Sequence, residues 1–168
     1  MHEHILALDP SGSYDEGKGT TGWCLMDKDK RIISVASIKA KSFKSPSAYW
    51  AEHTALIDRL HQFYEKLVIV IEDYLLYAQE AQAQINSRFE TVQLIGIIKH
   101  HCYTHKIPVY TQTASEVKRR WANDILVHKH VICKVHQHYV LNDTAEAIDR
   151  HDIDAIRHAM HFATFYNK

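Results

Sequence analysis

Leu67-Val68-Ile69-Val70-Ile71-Glu72-Asp73 is the most apolar and most β-branched run in the chain, and it stops at two acids. Apolar residues without alternation read as a strand buried on both faces, the pattern that parallel sheets demand. A second run of this kind, Ile5-Leu6-Ala7-Leu8-Asp9-Pro10, lies near the start of the sequence and also stops at an acid. Between them, Thr20–Met26 and Ile32–Ile38 read as a hairpin about the polar turn Asp27–Lys30. Ser45-Pro46-Ser47 opens a helix, with Trp50, Leu56, Ile57, Leu60, Phe63, Tyr64 and Leu67 at helical spacing. Beyond the central run, a long helix is predicted over Ala81–His105 and a strand over Ile107–Tyr110. Further helices are predicted over Ala114–Trp121, Lys129–Val140 and Asp149–Phe165. The order β-β-β-α-β-α-β-α-α-α predicts an α/β fold, a mixed five-stranded sheet with helices on both faces. No repeat, low-complexity tract or linker divides the sequence, so residues 1–168 read as one domain.

Composition narrows the function. Apolar residues make up 46% and charged residues 24% of 168, ordinary values for a globular chain, so disorder is excluded. No apolar run approaches the roughly 20 residues of a membrane span. Met1-His2-Glu3-His4 lacks the basic and apolar regions of a signal peptide. Cys24, Cys102 and Cys133 form no CxxC pair, which fits a reducing cytosol and argues against a disulfide framework. These features predict a cytoplasmic protein with no membrane partner. Charge is balanced overall, but Lys99–His136 holds seven Lys/Arg against Glu116 and Asp124. A basic lobe beside an acidic remainder suits a polyanion binder whose site needs carboxylates, though a solvated helical face gives the same pattern. Among 14 histidines, His128/His130 and His136/His138 resemble metal pairs, but no cysteine stands with them.

The chemistry is carried by acids at strand ends. If the two buried strands are adjacent and parallel, Asp9 and Glu72 converge at one edge of the sheet, where α/β folds build their sites. A further acidic set occupies the last helix, where His151 and Asp154 share a face and Asp152 points elsewhere. The helix would pack through Ile153, Ile156, Met160 and Phe165. Each acid alone also reads as a strand-end turn or a helix cap. Together they repel one another unless a cation neutralises them, which predicts a divalent metal. Oxygen donors favour magnesium, and one imidazole moves the expectation towards manganese. Two ions about 3.5–4 Å apart activate water and stabilise the leaving oxygen in phosphodiester cleavage.

Ile5–Pro10 with Thr21-Gly22, then Val70-Ile71-Glu72, then His151-x-x-Asp154-Ala155 resembles the RuvC-type Holliday junction resolvases of the RNase H-like superfamily. The resemblance covers nearly the whole chain. It implies an RNase H-like nuclease domain with Asp9, Glu72, His151 and Asp154 as ligands of two ions, Mg2+ or Mn2+, and Asp152 as the alternative ligand. It further implies catalytic roles for Lys118 and Lys129, which bottom-up would hold phosphate oxygens or solvate a helix surface. Arg119 and Arg120 suit backbone phosphate contacts. Leu75 stands where the family presents an aromatic wedge, and Tyr74 could substitute by stacking. Core packing is the competing role for both.

The activity implied is paired symmetric nicking of four-way and other branched DNA by a homodimer, leaving 5′-phosphate and 3′-hydroxyl ends. The Gln79–Ile98 stretch is the expected dimer surface. The loop Ser11–Gly19 is longer than the family's, a departure that argues against strict four-way specificity. Bacteriophage members of the family are less selective, and the expectation is a protein of that kind acting in a bacterial or phage-infected cell. Two other readings use the same residues: a related nuclease for RNA–DNA hybrids or flaps, and a non-catalytic nucleic-acid-binding module. The pair His151/Asp154 separates them, since a binder has no use for it.

Overall fold

The parity of side chains along the two apolar strands decides which helix covers which face. The computed structural model describes residues 2–14, 17–74 and 89–167. Strand β1 (His4–Asp9) pairs antiparallel with β2 (Thr20–Asp27), and β2 pairs with β3 (Ile32–Lys39). Strand β4 (Leu67–Asp73) lies parallel to β1, and β5 (Val109–Thr113) parallel to β4, giving the order β3-β2-β1-β4-β5. This is the mixed five-stranded sheet with helices on both faces that the sequence predicts. Ile5, Ala7, Val68 and Val70 pack on one face, and Leu6, Leu8, Ile69 and Ile71 on the other. All eight are fully buried. Each such side chain contributes about 1.5–3 kcal/mol on burial, less for Ala, so the alternation holds the register firmly.

Helices α1 (Pro46–Phe63) and α2 (Glu90–Thr104) cover the Leu6/Ile69 face. The α1 N-cap is Ser45, whose side chain accepts from the Ala48 N–H, with Pro46 at the first helical position. Helix α5 (Arg150–Phe165) covers the Ile5/Val70 face, and Val117, Leu126, Ile132 and Leu141 join it in the same core. Its N-cap Asp149 accepts from the His151 and Asp152 N–H groups, while Asp152 accepts from the Asp149 N–H, a closed capping box. Ile153, Ile156 and Met160 are buried as expected, but Phe165 is exposed beneath the Arg120 guanidinium. Of the long helix predicted over Ala81–His105, residues 81–88 lie outside the described residues.

The segment after β5 corrects the sequence reading. Helix α3 (Ala114–Arg120) forms as predicted, and a short α4 (Asn123–His128) follows it. Lys129–Val140 is not a helix: β6 (Ile132–Val135) and β7 (His138–Leu141) form a hairpin, joined by β8 (Ala147–Ile148) into a second, antiparallel sheet. The β-branched residues Val131, Ile132, Val135 and Val140 favour the pleat, and the turn is closed by His136 in the left-handed region at φ 54°. No helix of the described residues is long and apolar enough to cross a membrane.

Candidate active site

Asp9 and Glu72 follow directly from that parity. Leu8 pairs with Ile71, so the next residues in register are Asp9 and Glu72. Both continue the Ala7/Val70 set, and both therefore face α5. Helix α5 begins beside them because Gly22, the β2 partner of Asp9, has no side chain. A Cβ at residue 22 would stand 2.1 Å from the His151 carbonyl oxygen, far inside van der Waals contact. The first turn of α5 is thereby pressed against β2, and it delivers His151 and Asp154 to the edge.

Each acid already holds a basic partner. His151 Nδ1 lies 3.0 Å from Asp9 Oδ2. Lys118 Nζ lies 3.1 Å from Asp154 Oδ2, and Arg157 donates to Asp154 Oδ1. His158 Nε2 lies 2.8 Å from Glu72 Oε2, and its Nδ1 is 2.9 Å from Gln112 Oε1. The acids also feel one another. Burial raises the Asp9 carboxyl above the usual range, the charges of Glu72 and Asp154 push the same way, and the His151 hydrogen bond opposes them. Burial pulls the Lys118 ammonium down, but Asp154, Glu72 and Asp9 outweigh it and hold the group above its ordinary value. His151 is raised, chiefly by its hydrogen bond to Asp9. Three carboxylates therefore share one electrostatic neighbourhood with Lys118 (on α3), His151 and Arg157.

This donor set fits a hard divalent cation, because such an ion relieves the mutual repulsion of Asp9, Glu72 and Asp154 that adds to the effect of burial on Asp9. Residues Asp9, Glu72, His151 and Asp154 would hold it. In this arrangement no three of them bring ligand atoms within 4.8 Å of one another; among the described residues, Asp58, His101 and His105 do, on the α1–α2 face. Asp152, the alternative ligand, is buried and engaged elsewhere, accepting from Ser37 at 2.7 Å and completing the capping box.

The remaining expected residues have other surroundings. Lys129 stands 5.9 Å over the Trp121 ring, and lines with Arg119, Arg120, Lys30 and Arg31 a cavity between the hairpin and the far end of α5. Tyr74 packs against the core of the α1–α2 face. Leu75, and the Gln79–Ile98 surface as far as residue 88, lie outside the described residues, as do Asp15 and Glu16 of the long loop. The described part of that loop is pinned: Tyr49 OH donates to the Ser11 carbonyl at 2.6 Å, Trp50 Nε1 to the Gly12 carbonyl at 2.9 Å, and Thr91 Oγ1 accepts from the Gly12 N–H.

Sequence reasoning missed His158 and Arg157. His158 is fully buried, four residues after Asp154 and seven after His151, so its spacing on the helix face was the available signal. Arg157 ties Asp154 to Asn123 Oδ1 at 2.5 Å and to the Trp121 carbonyl at 2.9 Å. It fixes the carboxylate against α4 and the end of α3.

No family model and no curated protein sequence matches the chain. Two solved structures are similar over nearly its whole length. One is T. thermophilus RuvC in complex with a Holliday junction substrate, with a TM-score of 0.68, 16% identity, and coverage of 99% of this chain and 96% of that one. The other is a Thermus thermophilus RuvC structure, with a TM-score of 0.64, 17% identity, and coverage of 98% and 95%. At such identities the shared property is architecture, and the chain has the RNase H-like fold of RuvC.

Proposed function

We propose that the chain is a metal-dependent, structure-selective DNA endonuclease that resolves four-way junctions, and other branched DNA, by paired nicks. The observation that carries this reading is the convergence of Asp9, Glu72, Asp154 and His151 at one edge of a RuvC-like sheet, with Lys118 among them. Two divalent ions, Mg2+ or Mn2+, would supply an activated water and charge neutralisation at the scissile phosphate. The chain's own residues do the rest. Asp9, Glu72, Asp154 and His151 serve as ligands, and Arg157 and His158 orient two of those acids. Lys118, 3.1 Å from Asp154, would hold a non-bridging phosphate oxygen and stabilise charge in the transition state. Lys129, Arg119 and Arg120 contact DNA backbone, and Tyr74 with Leu75 meets bases at the branch. The ends produced are 5′-phosphate and 3′-hydroxyl.

A homodimer would place one site on each of two symmetry-related strands of the junction. The protein would work in the cytoplasm of a bacterial or phage-infected cell. The test is cleavage of labelled four-way junction, three-way junction, flap and plain duplex with Mg2+ or Mn2+, beside Asp9→Asn. Paired symmetric nicks in the four-way junction, lost in the variant, are expected. Equal cutting of all branched forms would leave a broad debranching nuclease, and junction binding without metal-dependent cutting would overturn the enzymatic reading.

A further inference from the structure

We propose that Asp58, His101 and His105 form a second metal site, for zinc or a similar borderline transition ion, between α1 and α2. It lies on the face of the sheet opposite α5, apart from the carboxylate edge. His101 and His105 are one helical turn apart at the end of α2, their rings 4.2 Å between centroids. Asp58 comes from α1, its Oδ1 2.7 Å from His101 Nε2. One donor atom from each of the three residues falls within 4.8 Å of the others. Two imidazoles and one carboxylate make a three-ligand set of the kind zinc takes when it keeps an open position.

Three further features suit an ion. His105 directs Nδ1 at the His101 carbonyl, 2.9 Å away, which fixes the ring and leaves Nε2 as the lone-pair nitrogen. The carbonyl end of α2 carries negative partial charge, which favours a cation. A cavity opens beside the cluster, lined by Trp50, Thr54, His100, His101, Thr104 and His105, and gives an ion and its open position access to solvent. An ion pair linking the helices needs only Asp58 and His101; the third donor is unexplained by that role.

Donors around tetrahedral zinc stand roughly 3.3 Å apart, at Zn–N and Zn–O distances of about 2.0–2.1 Å. Closure therefore requires His105 to approach, and the Asp58–His101 hydrogen bond to open as its proton leaves. Asp58 is about half exposed and His105 exposed, so both can rotate at little cost. Two nitrogens and a single carboxylate are a poor match for magnesium, which prefers six oxygens, so the two sites differ in the ion they select.

Calorimetric titration of the full chain with zinc alone, in the Asp9→Asn background and in the natural sequence, tests the site without reference to nuclease activity. With millimolar magnesium present to occupy the carboxylate edge, one zinc per chain is expected in both, with imidazole NMR signals of His101 and His105 shifting at stoichiometry. His105→Ala and Asp58→Asn should each weaken binding at least about tenfold, whereas His100→Ala, in the same cavity, should not. Zinc uptake lost in Asp9→Asn alone would place the ion at the carboxylate edge and overturn the proposal. So would absent stoichiometric binding, or binding indifferent to both His105→Ala and Asp58→Asn; NMR spectra of the variants establish that they are folded.

Discussion

Helices α5 and α2 cover opposite faces of the same sheet and dispose their polar side chains in opposite ways. Helix α2 buries Leu94, Ile95, Ile98 and Cys102 and leaves its histidines at or near the surface. Helix α5 buries Asp152, His158 and His161 among Ile153, Ala155, Ile156, Ala159, Met160 and Phe162. A buried polar group without a partner costs about 1–3 kcal/mol, so polar burial persists where partners are supplied. Asp152 has Ser37 and the Asp149 N–H, and His158 has Glu72 and Gln112. His158 is thus tied to the carboxylate edge and Asp152 to the capping box beside it, while His161 faces Glu116 at 3.6 Å and its Nδ1 has no hydrogen-bond partner. Polarity on α2 is available to whatever arrives from solvent. In the α2 layer, folding and chemistry can be altered separately; at Asp152 and His158 of α5 they cannot.

The sharpest break comes at the edge itself. Asp9→Asn is expected to lower junction cleavage by about a thousandfold or more, roughly 4 kcal/mol of transition-state stabilisation, while binding is retained or improved. Gel assays of cutting and of binding on one junction check both halves, and loss of binding would assign Asp9 a structural role. Leu94→Ala, in the other layer, should cost about 2–5 kcal/mol of stability in urea unfolding and leave cleavage per folded molecule unchanged. A fall in turnover there would show that the α2 layer reaches the edge.

The α1–α2 face has one buried imidazole of its own, which sharpens the contrast. His53 is fully buried between the Tyr49 carbonyl and Thr21 Oγ1, and burial pushes it down to about 4, against its hydrogen bond to the Tyr49 carbonyl, which opposes the shift. The unfolded imidazole takes its proton near pH 6.5, so the unfolded state binds more protons in between. Stability is therefore fully present above about pH 6.5 and falls by about 3 kcal/mol as the pH drops towards 4. Urea unfolding at pH 7 and pH 4.5 should show the loss, reduced in His53→Gln; an identical loss in the variant would refute it. Smallest is His158→Gln, expected to cost about 1–3 kcal/mol by leaving Glu72 and Gln112 short of a partner. Its cleavage should fall too, through a misplaced Glu72, and an unaltered rate per folded molecule would confine His158 to stability.

The legible parts of the molecule are those where a single local pattern has one physical meaning. Ile5–Leu8 and Leu67–Ile71 could only be doubly buried strands, and their shared parity carried Asp9 and Glu72 to one face. Lys129–Val140 carried no such constraint. Only Ile132 of β6 is buried, so neither period dominates, and the turn at His136 lacks the glycine or asparagine that marks a hairpin. His158 was hidden because a histidine on an amphipathic helix shows its partner only once β4 and β5 are placed beside it. Asp58 was hidden for the same reason: its 43-residue separation from His101 is bridged by α1–α2 packing alone.

The contact at Gly22 has a mechanical consequence. Side-chain packing yields by tenths of an ångström, but a backbone seated on a backbone does not, so the first turn of α5 is a fulcrum rather than a cushion. Small adjustments of the helix then become rotations about that point. Met160 and Phe165, about two and a half and four turns away, travel furthest, while His151 and Asp154 hardly move relative to Asp9. Mutational drift or thermal motion at the far end of α5 is absorbed as tilt, and the spacing of the carboxylates is insulated from it.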